Sequence, residues 1–243
     1  MHRNRRPVQL ALTPRCPHPE HPGWGGPRRG AGRPRSKSSG VPHRARPKHV
    51  SRHPIHTTLR ITRELSPLRT KRKLRAVKTA IFDTNSRTNF RVVHFSLQNT
   101  HLHLIVEAQD KHALSCGLRA LQIRIARRLN ALADRKGSVF TDRYHAHVLR
   151  NPRETRLALR YVLLNGSHHA AHRRGVAWLD PCSSASAFDG WSRKGRLPPG
   201  HEQAEPIIAT AKPETWLLRV GWRKKYGAIS PDDVPGDPSA GER

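Results

Sequence analysis

The pattern that most constrains this chain is a change of period, repeated between residues 55 and 165. Stretches that alternate apolar and polar residues are strands, because successive side chains point to opposite faces. Stretches with apolar residues three and four apart are helices. Ile55 to Ile61 (IHTTLRI) alternates and is rich in β-branched residues, so it reads as a strand. Leu68 to about Asn85 carries Leu68, Leu74, Val77, Ile81 and Phe82 at near-helical spacing with Lys and Arg between. FRVVHFSL (90–97) is a second strand, and Leu102 to Val106 a third, after a short turn at 98–100. Leu118, Leu121, Ile125, Leu129 and Leu132 then mark a long helix that stops at Gly137. Ser138 to Leu149 reads as a fourth strand. Asn151-Pro152-Arg153-Glu154 is a helix start, with Asn as the cap, Pro at the first position and Glu at the third. That helix is expected to run to Asn165, with Gly166 as its C-terminal cap.

The first six elements are strand, helix, strand, strand, helix, strand. This is the order of an α+β, ferredoxin-like split βαβ fold. It predicts a four-stranded antiparallel sheet with two helices on one face and the other face free. The domain is expected to span 55–170.

Residues 1–54 hold thirteen Lys or Arg, ten Pro, six Gly and one acid, which reads as a disordered basic arm. Within it, GAGRPR (30–35) offers Arg33 and Arg35 to a narrow DNA minor groove, or is simply solvated. Residues 171–243 are rich in Pro, Gly and Ser but contain Trp178, Trp191, Trp216 and Trp222. This tail is expected to pack partly on the domain.

The net charge of +29 at pH 7 points to a polyanionic partner, first of all nucleic acid. No uncharged 18-residue window exists to span a membrane, and no signal peptide is visible. The three cysteines (Cys16, Cys116, Cys182) are far apart, which argues for a reducing cytoplasm, with the basic charge placing the protein at the nucleoid.

Chemistry concentrates in His101-Leu102-His103. On a strand, His101 and His103 share one face while Leu102, Leu104 and Val106 face the core. Two such imidazoles can grip one divalent ion, or are an exposed pair in a chain with 17 His. On the last helix Tyr161 and Asn165 lie four apart, on one face. An amide oxygen suits a hard ion such as Mg²⁺ or Mn²⁺. From spacing alone Tyr161 reads as a core tyrosine packed by Leu157, with a nucleophile as the alternative.

The stretches FRVVHFSLQNTHLHLIVEA (90–108) and VFTDRYHAHVLRNPRETRLALRYVLLN (139–165) resemble the single-tyrosine HUH transposases of the insertion-sequence-200 type, and especially the REP-associated tyrosine transposases. The resemblance covers about 55–170. It implies that His101, His103 and Asn165 hold a divalent metal, Mg²⁺ or Mn²⁺. It implies that Tyr161, rather than Tyr144, attacks a DNA phosphate, forming a 5′-phosphotyrosine bond and a free 3′-OH. The implied partner is single-stranded DNA, often a hairpin-forming repeat, bound by a monomer or a homodimer. Gly166 departs from the pattern, where Pro is common, and so does Thr100, where Asn is common. Arg69, Lys71, Arg72, Lys73, Arg124, Arg127, Arg128, Arg143 and Arg150 are the candidate phosphate contacts in the domain. Two other readings use the same charge: a domesticated DNA-binding protein of this fold without catalysis, and a basic ribosome-associated protein.

Overall fold

Residues 49–168, 178–197 and 209–233 are described in the computed structural model of the chain. The chain divides into Met1–Gly40 and Val41–Arg243, and every described residue belongs to the second unit. Arg33 and Arg35 therefore lie outside the described residues, as does the arm up to residue 48.

The period changes become β1 (Ile55–Arg60), α1 (Lys71–Thr84), β2 (Phe90–Leu97), β3 (His101–Ala108), α2 (Lys111–Leu132), β4 (His145–Val148) and α3 (Pro152–His168). The sheet order is β2-β3-β1-β4 with every neighbouring pair antiparallel. This is the expected ferredoxin-like arrangement. On one face, α1 and α2 close a core that includes Leu59, Val77, Ile81, Leu104, Leu118 and Ile125. Caps set the helix starts: Thr70 Oγ1 accepts from Lys73 N–H and Asp110 Oδ1 from Ala113 N–H. At α3, Asn151 Oδ1 accepts from Glu154 N–H, and the Glu154 carboxylate accepts from Asn151 Nδ2 and Arg150 N–H.

Four expectations need correction. The fourth strand shrinks from 138–149 to His145–Val148, with only an isolated bridge between Ile61 and Phe140 before it. The Asp142 carboxylate accepts from the N–H of Arg143, a local turn that competes with strand pairing. The first helix starts at Lys71 rather than Leu68, because Thr70 caps it. Gly166 does not end α3, which continues to His168. Its missing side chain instead admits Asp180, whose carboxyl group fills the place of a Cβ.

The fourth correction concerns the second face of the sheet, which is not free. Here α3 and the tail build another core, including Val93, Ile105, Leu159, Leu163, Leu218 and Trp222. The tail also extends the edge of β2. Leu97 N–H donates to Cys182 O, Ser184 N–H to Phe95 O and Ala211 N–H to Val92 O. A π-helical turn (Leu217–Gly221) runs into α4 (Trp222–Tyr226). Arg156 of α3 donates to the carbonyls of Gly227 and Ala228, and Arg160 pairs with Asp233 at 3.2 Å. Trp222 is buried, whereas Trp216 is 56% exposed. No helix among the described residues is long and apolar enough to cross a membrane.

Candidate active site

The alternation of β3 sends Leu102, Leu104 and Val106 into the core under α1 and α2, so His101 and His103 face the α3 side. There α3 crosses the sheet. A cleft of about 430 Å³ opens between them, lined by Arg69, Asn99, His101, His103, Tyr161 and Asn165 among others. The His101 and His103 rings are stacked, with centroids 6.3 Å apart. The Tyr161 ring meets His103 edge-on at 5.1 Å. Tyr161 is 40% exposed and its neighbour Leu157 is 48% exposed, so the phenol is not a core group. Tyr144 is in the other layer, packed against the core beneath α1 and α2.

Both imidazoles are oriented by hydroxyls. Thr58 Oγ1 lies 3.2 Å from Nδ1 of His103, and Thr100 Oγ1 lies 2.8 Å from Nδ1 of His101. With Nδ1–H donated to the hydroxyl, Nε2 keeps its lone pair for a cation. Burial lowers His103 to about 4, with His101 adding to the effect. Burial, and then the charge of Arg60, lower His101 below the usual imidazole range. Both rings are therefore neutral near pH 7, as ligation requires. Among the described residues no group of three His, Cys, Asp or Glu could hold a metal ion. A third protein ligand must come from another donor, and the Asn165 amide in the cleft wall is of the right type for a hard cation. The donor set of two imidazoles and an amide fits such an ion.

One group beside the cleft escaped the sequence reading. His56 on β1 packs 5.6 Å from His103 and edge-on to Tyr161 at 5.7 Å. Burial, with the neighbouring imidazoles of His103, His147 and His145, lowers it to about 4. The strand register, which brings β1 beside β3, is the signal that finds it. Arg69, proposed for DNA, lines the cleft but is committed to the tail. Its Nη1 donates to Leu97 O at 2.9 Å and to Asp180 Oδ2 at 3.0 Å, and its Nη2 to Asp180 Oδ1 at 2.7 Å.

The other proposed cations are dispersed. Lys73 Nζ donates to the carbonyls of Leu65 and Pro67, and Arg128 pairs with Asp83 at 2.5 Å. Arg124, Arg127 and Arg128 belong to α2, across the sheet from Tyr161. Lys71, Arg72, Arg143 and Arg150 are exposed.

Residues 49–163 match the family model described as "Transposase IS200 like". No curated protein matches the chain. Among solved structures, a REP-associated tyrosine transposase bound to a REP hairpin aligns with a TM-score of 0.47 at 16% identity, covering 72% of this chain and 99% of its own. A candidate transposase from Deinococcus radiodurans R1 aligns with a TM-score of 0.35 at 15% identity, covering 51% of this chain and 92% of its own. The match to the IS200-like transposase model spans 115 of the 243 residues and takes in the whole sheet with His101, His103 and Tyr161.

Proposed function

We propose that this chain is a transposase that cleaves and rejoins single-stranded DNA at the cleft between β3 and α3, with Tyr161 as nucleophile. The observation that carries the reading is the convergence of Tyr161, Asn165, His101 and His103 on one cleft from elements up to 64 residues apart. In the proposed reaction the Tyr161 oxygen attacks phosphorus and the bond from phosphorus to the 3′ oxygen breaks. The phenol gives up its proton and the departing oxygen gains one, leaving a 5′-phosphotyrosine and a free 3′-OH. Attack by a 3′-OH on the phosphotyrosine reverses the step and joins strands.

His101, His103 and Asn165 would hold a divalent ion, Mg²⁺ or Mn²⁺. When bound, such an ion neutralises charge on the scissile phosphate. Thr58 and Thr100 fix the two imidazoles. His103 and His56 flank the Tyr161 ring and orient it. The proposed substrate is a hairpin-forming repeat of the REP type, as the family resemblance implies, with the basic helices binding its phosphates.

The test is a denaturing gel with labelled hairpin repeats from beside the gene, with Mg²⁺ or Mn²⁺ and with a chelator. The expected result is a metal-dependent covalent adduct that disappears in Tyr161→Phe. An adduct that survives in that variant overturns the assignment of the nucleophile. Salt-sensitive binding with no adduct favours the same fold used for binding alone.

A further inference from the structure

The second core covers only half of its sheet face. Its sheet residues, Val93 and Ile105, come from β2 and β3. Over β1 and β4 the described residues form no apolar cluster on this face, although Tyr161 of α3 packs on His56 there, and what faces outward follows from the register. Thr58 sits opposite His103 on one side and His145 on the other, and His56 opposite Ile105 and His147. Side chains 56, 58 and 60 of β1 and 145 and 147 of β4 therefore share the face of the catalytic histidines. Arg60, His145 and His147 are exposed. Along the rim, Leu157 and Tyr161 are both exposed and lie one helical turn apart.

The surface is open and polar, and continuous with the cleft. Arg60 makes no ion pair among the described residues, and its charge reaches His101. The acid Glu154 adjoins the surface, 3.9 Å from His147 and bonded to the start of α3. An apolar protein partner would find only Leu157 and the Tyr161 ring to bury along this rim. A polyanion carrying flat bases has a guanidinium for phosphate, imidazoles for stacking or hydrogen bonding, and the Leu157 side chain for a base face.

We propose that the exposed part of this half-sheet is a track for the single-stranded DNA next to the scissile phosphate, running from the cleft across Arg60 and Thr58 to His145 and His147 on β4. From His103 to His145 is two strand spacings, about 10 Å. The track deepens the reading of the cleft as a single-strand nuclease and rests on it.

The test measures equilibrium binding of a fluorescein-labelled dT12 strand to the full chain, with the adduct assay run in parallel. The variants are His145→Ala with His147→Ala, and Arg60→Gln. All three side chains are exposed, so thermal midpoints equal to wild type are expected and are checked first. The double variant should bind dT12 about tenfold more weakly. Arg60→Gln should flatten the plot of log K against log salt by about 0.7, the value for one phosphate of a single strand. Photocross-links from 5-iodouracil beside the cleavage position should map to residues 145–148.

Binding and slope that match wild type overturn the track. If adduct formation by wild type is normal in that case, the nuclease reading stands without it. Weakened dT12 binding in variants of a protein that never forms an adduct supports the track and removes the nuclease. A shift in oligomeric state with unchanged dT12 binding makes the surface a self-association face and also overturns the track.

Discussion

Replacing Gly166 with Ala sets two effects of opposite sign against each other. In an unconstrained helix interior, Gly→Ala stabilises by about 1 kcal/mol. At 166 the new methyl group meets the Asp180 carboxyl group. That side chain is 1% exposed and accepts from two nitrogens of Arg69 and from the N–H of Cys182. Breaking a buried pair costs about 3–5 kcal/mol. Arg69 keeps 26% exposure, so water screens part of the loss and about 3 kcal/mol is the better figure. The net is about 2 kcal/mol of destabilisation, about 30-fold in the folding constant. Urea unfolding followed by far-UV circular dichroism should show the midpoint falling by about 1 M, for a slope near 2 kcal/mol/M. Asp180→Ala supplies the internal control. In that background the obstacle is gone and Gly166→Ala should raise the midpoint, a reversal of sign that only direct coupling produces. If Gly166→Ala stabilises the otherwise unmodified chain, the packing argument is wrong.

Two further outcomes follow from buried groups. Burial lowers His94, packed edge-on against Phe188, to about 4, so the unfolded chain takes up this proton first on acidification. Its contribution is complete above the unfolded value near 6.5 and is lost as pH falls toward 4, by up to about 3 kcal/mol. Urea midpoints at pH 7 and pH 5 should show the fall, and His94→Gln should reduce it. Trp222→Ala, at a side chain 2% exposed and packed on Phe188, should cost about 3–5 kcal/mol by the same unfolding assay. A loss under about 1 kcal/mol would mean that the tail does not hold α3.

Local signals carried most of the domain. The elements up to α3 follow from spacing, and the Asn151-to-Glu154 cap is written in four consecutive residues. The adjacent Val92 and Val93 break the alternation of β2, and there the register shifts against β3 as a bulge. The site was legible where two groups share one element: His101 with His103 on a strand, Tyr161 with Asn165 on a helix. That the two pairs meet rested on resemblance. The rest was hidden because its partners are distant in sequence. Arg69 and Asp180 are 111 residues apart, and each looks like an ordinary surface charge until the tail folds back. His56 gives no sign of its place until β1 is laid beside β3. The cover over the second sheet face was missed because its apolar residues, Leu218, Trp222 and Ile229, are scattered through a stretch read as irregular.

The central position of β3 has a consequence for how the molecule opens. This strand is hydrogen-bonded to β1 and β2, and residues 102–108 are buried with packing on both faces. Its amides can exchange with solvent only when the whole domain unfolds, so they should be the slowest in the chain. Helix α3 lies outside the sheet, packed on Val93 and Ile105 beneath it and on Leu218 and Trp222 of the tail, and its amides should exchange through smaller, local openings. The two halves of the candidate site should thus differ in their rates of exposure, with the histidines on the slowest-exchanging strand and the tyrosine on a helix packed against it.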